Sequence, residues 1–153
     1  MTRLYGAIEA GGTKFVCAVG TGPEDLTEIR FPTTTPKQTL DQALAFFEPY
    51  KGQLTALGIG TFGPIELCQS SINYGCIKST PKPHWSGTNL VDCFSTALRI
   101  PVALDTDVNA AALGEQRWGA AVNLSDFIYI TICKGSGGGV IANNNLLHGQ
   151  GHQ

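Results

Sequence analysis

The sequence predicts a mixed α/β chain. Short apolar runs at residues 4–9, 15–19 and 26–31 are separated by glycine-rich turns, as in a strand meander. Downstream, segments with apolar residues at i, i+3, i+4 and i+7 alternate with further apolar runs, which suits helices laid on a sheet. A second pattern of strand, glycine turn and strand then begins at Phe127 and repeats the logic of the N-terminus.

Taken in order, residues 4–9 form a first strand, Ala10-Gly11-Gly12-Thr13-Lys14 a turn, and residues 15–19 a second strand. The turn Gly20-Thr21-Gly22-Pro23 leads to a third strand over residues 26–31. Thr35 is a helix N-cap with Pro36 at the first helical position. Leu40, Ala43, Leu44 and Phe47 then mark one apolar face until Pro49 and Gly52 close the segment. Residues 54–60 make a fourth strand that runs into Thr61-Phe62-Gly63-Pro64, where the Gly-Pro pair ends regular structure. Residues 65–87 read as a long loop, functional or mobile in character. A second helix carries Leu90, Phe94, Ala97 and Leu98, residues 101–104 form a fifth strand, and residues 107–118 an alanine-rich third helix. Residues 127–132 and Val140-Ile141 are strands joined through Gly135-Ser136-Gly137-Gly138-Gly139, and the tail from Leu146 shows no periodicity.

Composition excludes several classes. The 153 residues hold ten Lys and Arg against twelve Asp and Glu, a net charge of -2 without basic runs, so neither nucleic acid nor an acidic membrane surface is an expected partner. No stretch approaches the ~20 apolar residues of a membrane span, and the N-terminus has no signal-peptide pattern. The five cysteines, at 17, 68, 76, 93 and 133, form no Cys-x-x-Cys pair, which fits reduced thiols in a cytoplasm and speaks against a zinc site of their own.

Three segments carry chemistry. In Glu9-Ala10-Gly11-Gly12-Thr13-Lys14, glycines leave backbone N–H groups free to face an anion while Thr13 and Lys14 add a hydroxyl and a cation. A phosphate cradle and a plain hairpin with a surface lysine both fit it. Since strand follows the glycines, a Rossmann site is disfavoured. In residues 105–115 (DTDVNAAALGE), a strand end meets a helix N-terminus; an aspartate there either caps the helix or receives a substrate hydroxyl's proton during phosphoryl transfer. Thr131-Ile132-Cys133-Lys134-Gly135-Ser136-Gly137 repeats the first pattern, as a second phosphate loop or as a loose surface hairpin.

In this order and spacing, EAGGTKF (9–15), GIGTFGP (58–64), Thr80-Pro81-Lys82 with Trp85, and DVNAAALGE (107–115) resemble the ROK family of sugar kinases, and lean towards its fructokinases. The resemblance implies the actin-like ATPase (ribonuclease H-like) fold, with residues 1–118 as a complete N-terminal domain and 119–153 as the incomplete start of a C-terminal one. It implies Asp107 as catalytic base and Gly11, Gly12, Thr13 and Lys14 as the first phosphate loop. It further implies Lys134, Gly135 and Gly137 in the second phosphate loop, and Gly63, Pro64, Thr106 and Asn109 on the sugar side. The expected reaction transfers the γ-phosphoryl group of ATP, with Mg²⁺, to the 6-hydroxyl of fructose, with glucose and mannose as further hexose substrates.

The chain departs from the family in three places. Thr106 stands where many members have asparagine, which bears on the choice of sugar. Cys133-Lys134 replace Gly-Thr in the second phosphate loop, putting a Cβ and a long cation into the cradle. The family's Glu-x-Gly-His motif and its zinc-binding His and Cys cluster lie beyond Gln153, so no metal ligand is assigned here. His148 and His152 are expected in an exposed, frayed end. Residues 1–118 are expected to fold alone, and the remainder to need a partner or the missing half, with a homodimer left open. The competing reading is a non-catalytic sugar-binding or interaction remnant. ROK repressors carry a helix-turn-helix ahead of the kinase-like part, whereas this sequence opens on its first strand.

Overall fold

The computed structural model describes residues 2–149. Strands β1 (Leu4–Ala10), β2 (Lys14–Gly20) and β3 (Thr27–Pro32) form the meander, and β4 (Leu54–Thr61) and β5 (Val102–Thr106) extend it into a five-stranded sheet of order β3-β2-β1-β4-β5. The meander pairs are antiparallel, whereas β1 with β4 and β4 with β5 are parallel. Alternation along β1 sends Gly6, Ile8 and Ala10 inward and Tyr5, Ala7 and Glu9 outward.

Helices α1 (Pro36–Phe47) and α2 (Leu90–Leu98) cover the inner face. Thr35 caps α1 by accepting the Gln38 amide, as its position before Pro36 predicts. Leu40, Ala43 and Phe47 of α1 and Leu90, Phe94 and Leu98 of α2 share one core with Ile8, Phe15, Cys17, Leu57 and Ile59. A 3₁₀ turn at Glu48–Tyr50 follows α1, where Pro49 cannot supply a helical N–H.

The long loop between β4 and α2 is more ordered than its composition predicts. Ile65 bridges Ile77, Cys76 bridges Asn89, and both isoleucines are buried. Trp85 anchors the loop: it is fully buried, packs against Phe15 and Phe62 at 5.7 and 5.6 Å, and donates from Nε1 to the Thr34 carbonyl at 2.9 Å.

Helix α3 (Asp107–Trp118) lies between this sheet and a second, antiparallel one of order β6-β7-β8, built from Phe127–Ile132, Ser136–Ala142 and Asn145–Leu147. Two sequence expectations are corrected here. Gly137, Gly138 and Gly139 are not in the turn; they belong to β7, opposite Thr131, Ile130 and Tyr129, and the turn is Cys133-Lys134-Gly135. The physical reason is close packing, because a Cβ on Gly139 would lie 2.7 Å from the Val108 carbonyl oxygen and one on Gly137 would lie 2.8 Å from Val108 Cγ1. The tail is not featureless either. Asn143 and Asn144, at φ 49° and 63°, turn β7 into β8, a conformation asparagine tolerates better than other non-glycine residues. On the outward face of β6, Ile128, Ile130 and Ile132 are exposed.

The packing yields two predictions. Gly139→Ala should destabilise the chain by about 1–3 kcal/mol, because the clash is with backbone that has no rotamer to yield, and urea unfolding measures it. Thiol labelling should order the cysteines by environment. The Ser70 hydroxyl beside exposed Cys68 lowers that thiol's pKa, whereas burial pushes Cys17 up from 9.0 to about 12. At neutral pH Cys68 should react rapidly and Cys17 only on unfolding. Because the Cys17 pKa is raised in the folded state, its stabilising contribution is complete below pH 9 and is lost as the pH climbs towards 12.

Candidate functional site

Parallel pairing of β1, β4 and β5 aligns their carboxyl ends. Ala10 stands opposite Thr61, and Thr61 opposite Thr106, so the chain leaves the sheet at one edge through Gly11, Phe62 and Asp107. Ligands of α/β sheets collect at such edges, where backbone groups lose their ladder partners. Three motifs separated by about fifty residues each are thereby brought to one place.

In the first loop, the Gly11 amide donates to the Lys14 carbonyl at 2.9 Å, and a Cβ on Gly11 would lie 2.6 Å from that oxygen. This corrects the expectation that both glycines turn their amides to an anion: the Gly11 N–H closes the turn. Gly12 has nothing within 4 Å of its Cβ position, leaving open space beside its backbone. Thr33 braces the loop from outside, donating its hydroxyl to the Gly11 carbonyl at 2.6 Å and its amide to the Thr13 carbonyl at 2.9 Å. Lys82 Nζ in turn donates to the Thr33 carbonyl at 3.2 Å. The Thr13 and Lys14 side chains are exposed.

Phe62 donates its amide to the Ala10 carbonyl at 2.8 Å, which holds the Gly63-Pro64 segment beside the first loop. The Gly63–Pro64 peptide is cis, and the Pro64 carbonyl accepts the Lys78 amide at 2.8 Å.

At the start of α3, the capping alternative falls to a different residue from the one the sequence offers. Thr106 is the N-cap and accepts the Asn109 amide at 3.3 Å; Asp107 follows it, exposed, with Oδ1 accepting the Val108 amide at 2.9 Å. A carboxylate there is favoured by the partial positive charge of the helix N-terminus. Among the described residues Asp107 has no ion-pair partner. Asn109 is buried, and its Nδ2 donates to Asp105 Oδ1 at 2.7 Å. That same oxygen accepts the Thr106 amide at 2.7 Å, and Asp105 Oδ2 lies 2.7 Å from His148 Nε2. The frayed end expected for His148 is therefore corrected, because hydrogen bonding to β5 holds it; His152 lies outside the described residues.

The second loop rides on α3 through β7. Val108, the neighbour of Asp107, fills the space a Cβ on Gly137 would need, so Gly137 packs a strand against the helix. Lys134 and Gly135 are exposed, and the Cys133 amide is bound to the Gly135 carbonyl at 2.8 Å. Among the described residues no group of three His, Cys, Asp or Glu converges to hold a metal ion, and no helix is long and apolar enough to cross a membrane. A mostly apolar cleft of about 780 Å³ opens on the outer sheet face between Ala7, Gly58, Ala103, Leu113 and Trp118; Asp105 lines it, whereas the turns at Gly11 to Lys14 and Cys133 to Gly135 do not.

Reasoning from sequence missed Thr33, Asp105 as a hub, and His148. Asp105 stood within a recognised motif, whereas His148 reaches it across 43 residues with no local signal.

Comparison with known proteins finds this chain similar to sugar kinases in sequence and fold. The fructokinase of Streptococcus mutans is 46% identical over 153 residues, covering 99% of this chain and 52% of that protein. That of Zymomonas mobilis is 41% identical, covering 98% and 52% respectively. The chain thus spans about half the length of the curated relatives it matches. A ROK family glucokinase from Streptomyces griseus, solved with glucose and AMPPNP, superposes with a TM-score of 0.80 at 29% identity, over 97% of this chain and 47% of that one. The fold is the actin-like ATPase fold of these kinases. With the ROK family pattern matching residues 5–152, the chain belongs to the ROK family.

Proposed function

We propose that this chain is part of an ATP-dependent hexose kinase, with fructose as the preferred acceptor and glucose and mannose as further candidates. The observation that carries the reading is the shared sheet edge, where the Gly12 to Lys14 turn, the Gly63-Pro64 loop and Asp107 leave three aligned strand ends. The fructokinases among its relatives support the choice of sugar.

In this proposal Gly11, Gly12, Thr13 and Lys14 hold phosphate oxygens, Gly11 by shaping the turn and Gly12 by leaving room beside its backbone. Lys134, Gly135 and Gly137 approach the nucleotide from the second sheet, Lys134 acting as a mobile point charge. Gly63, Pro64, Thr106 and Asn109 face the sugar. Asp107 takes the proton of the attacking 6-hydroxyl as the new O–P bond forms and the bond from the γ-phosphorus to the bridging oxygen breaks, leaving ADP. Catalysis then rests on positioning and charge stabilisation rather than on a covalent enzyme intermediate. The nucleotide substrate would bring Mg²⁺ on its phosphates to offset their charge, a mode that needs few protein ligands.

Residues 1–118 form the first domain in this reading and 119–153 the opening of the second. Exposed Ile128, Ile130 and Ile132 mark a face for further chain or a second copy to cover. Free thiols suit a reducing cytoplasm. One feature favours a non-catalytic sugar-binding module instead: the Cys133 amide is already bound within its own turn, so it is not free to meet a phosphate.

An assay of ADP release with ATP, Mg²⁺ and each hexose separates the two. Fructose-dependent release is expected from the wild-type protein, with kcat in Asp107→Asn lower by about 10²–10⁴-fold and the fold unchanged. Hexose binding without release would establish the binding module, and full turnover in the variant would remove Asp107 from the mechanism.

A further inference from the structure

Asp105 lies at the centre of a small network: Oδ1 receives the Thr106 amide and Asn109 Nδ2, both at 2.7 Å, and Oδ2 meets His148 Nε2 at 2.7 Å. The first two contacts belong to the N-terminus of α3, where Thr106 is the cap, Asp107 the first helical residue and Asn109 the buried amide. The third comes from the other sheet, because His148 directly follows β8. His148 is therefore the side chain, among the described residues, whose hydrogen bond links the end of the second sheet to β5, the strand that runs into Asp107.

From this geometry we propose that His148 is a positioning residue: it holds the Asp105 carboxylate in the rotamer that orients Asn109 and the first turn of α3, and so sets where Asp107 stands. The role rests on the hexose kinase reading of Asp107. Its logic is geometric rather than energetic. The His148 and Asp105 side chains are 43% and 18% exposed, and a pair so open to water adds little stability. A carboxylate held through both oxygens nevertheless has one orientation, whereas one held through Oδ1 alone can swing about χ2. Such a swing would move the Asn109 amide and loosen the Thr106 cap, and a displacement of about 1 Å at a reacting group costs up to ~10²-fold in rate.

The test compares His148→Leu, which removes the hydrogen bond, with His148→Gln, whose Nε2 can occupy the position of the lost ring nitrogen. In the leucine variant, amide exchange at Val108 and Asn109 should quicken by about tenfold. Its kcat with fructose should fall by about tenfold or more, with a smaller change in the KM for ATP. The glutamine variant should recover both to within about threefold, and the melting temperatures of all three proteins should agree within ~4 °C. A merely structural histidine would show the opposite pattern: a lowered melting temperature, no rescue by glutamine and unchanged kcat in the folded protein. Exchange at Val108 and Asn109 unchanged in the leucine variant, or kcat within twofold of wild type, overturns the proposal. Should the wild-type protein itself release no ADP, the kinase reading falls, and the exchange comparison alone decides whether His148 holds the start of α3.

Discussion

Helix α3 works as a wedge between two sheets, and the approach of strands to its sides is the constraint on which the rest depends. On one side a Cβ at Gly60 would lie 2.7 Å from Ala110 Cβ; on the other a Cβ at Gly139 would lie 2.7 Å from the Val108 carbonyl and 3.0 Å from Ala112 Cβ. Small residues on the helix therefore meet bare backbone on both flanks. Interiors packed at this density transmit displacement rather than absorb it. The position of Asp107 is thus tied to the register of β4 and of β7 together, and the Cys133-Lys134-Gly135 turn inherits its placement from the same helix through β7.

That arrangement explains why so much of the candidate site is built from backbone and short side chains. Thr33 braces the first loop, Lys82 braces Thr33, and Trp85 holds the Thr34 carbonyl while filling the space against Phe15 and Phe62. The segment from Thr80 to Trp85 thereby supports the first loop from behind. A buried indole with a satisfied N–H suits this task, since it contributes apolar area and one directional bond at once.

Glycine has two distinct meanings in this chain. Gly11 closes a turn that a Cβ would block, and Gly12 leaves open space beside the backbone. Gly137 and Gly139 face α3, and their lack of a side chain serves packing first. Glycine-rich composition alone cannot separate these uses, because the requirement in each case is set by whatever stands opposite the missing Cβ.

Most of the architecture could be read from local pattern. Alternation along β1, the Thr35-Pro36 start of α1 and the apolar spacing of Leu40, Ala43 and Phe47 are short-range signals, and the structure obeys them. The family too was legible, since its motifs are contiguous and occur in order. What only the tertiary structure decided were relations between distant segments: Thr106 rather than Asp107 as the cap, β7 extending through its glycines, the order within residues 65–87, and the reach of His148 to Asp105. The physical reason is common to all of them. Periodicity and turn chemistry act over a few residues, whereas a close approach or a hydrogen bond across 43 residues depends on the position of a partner that local sequence does not encode.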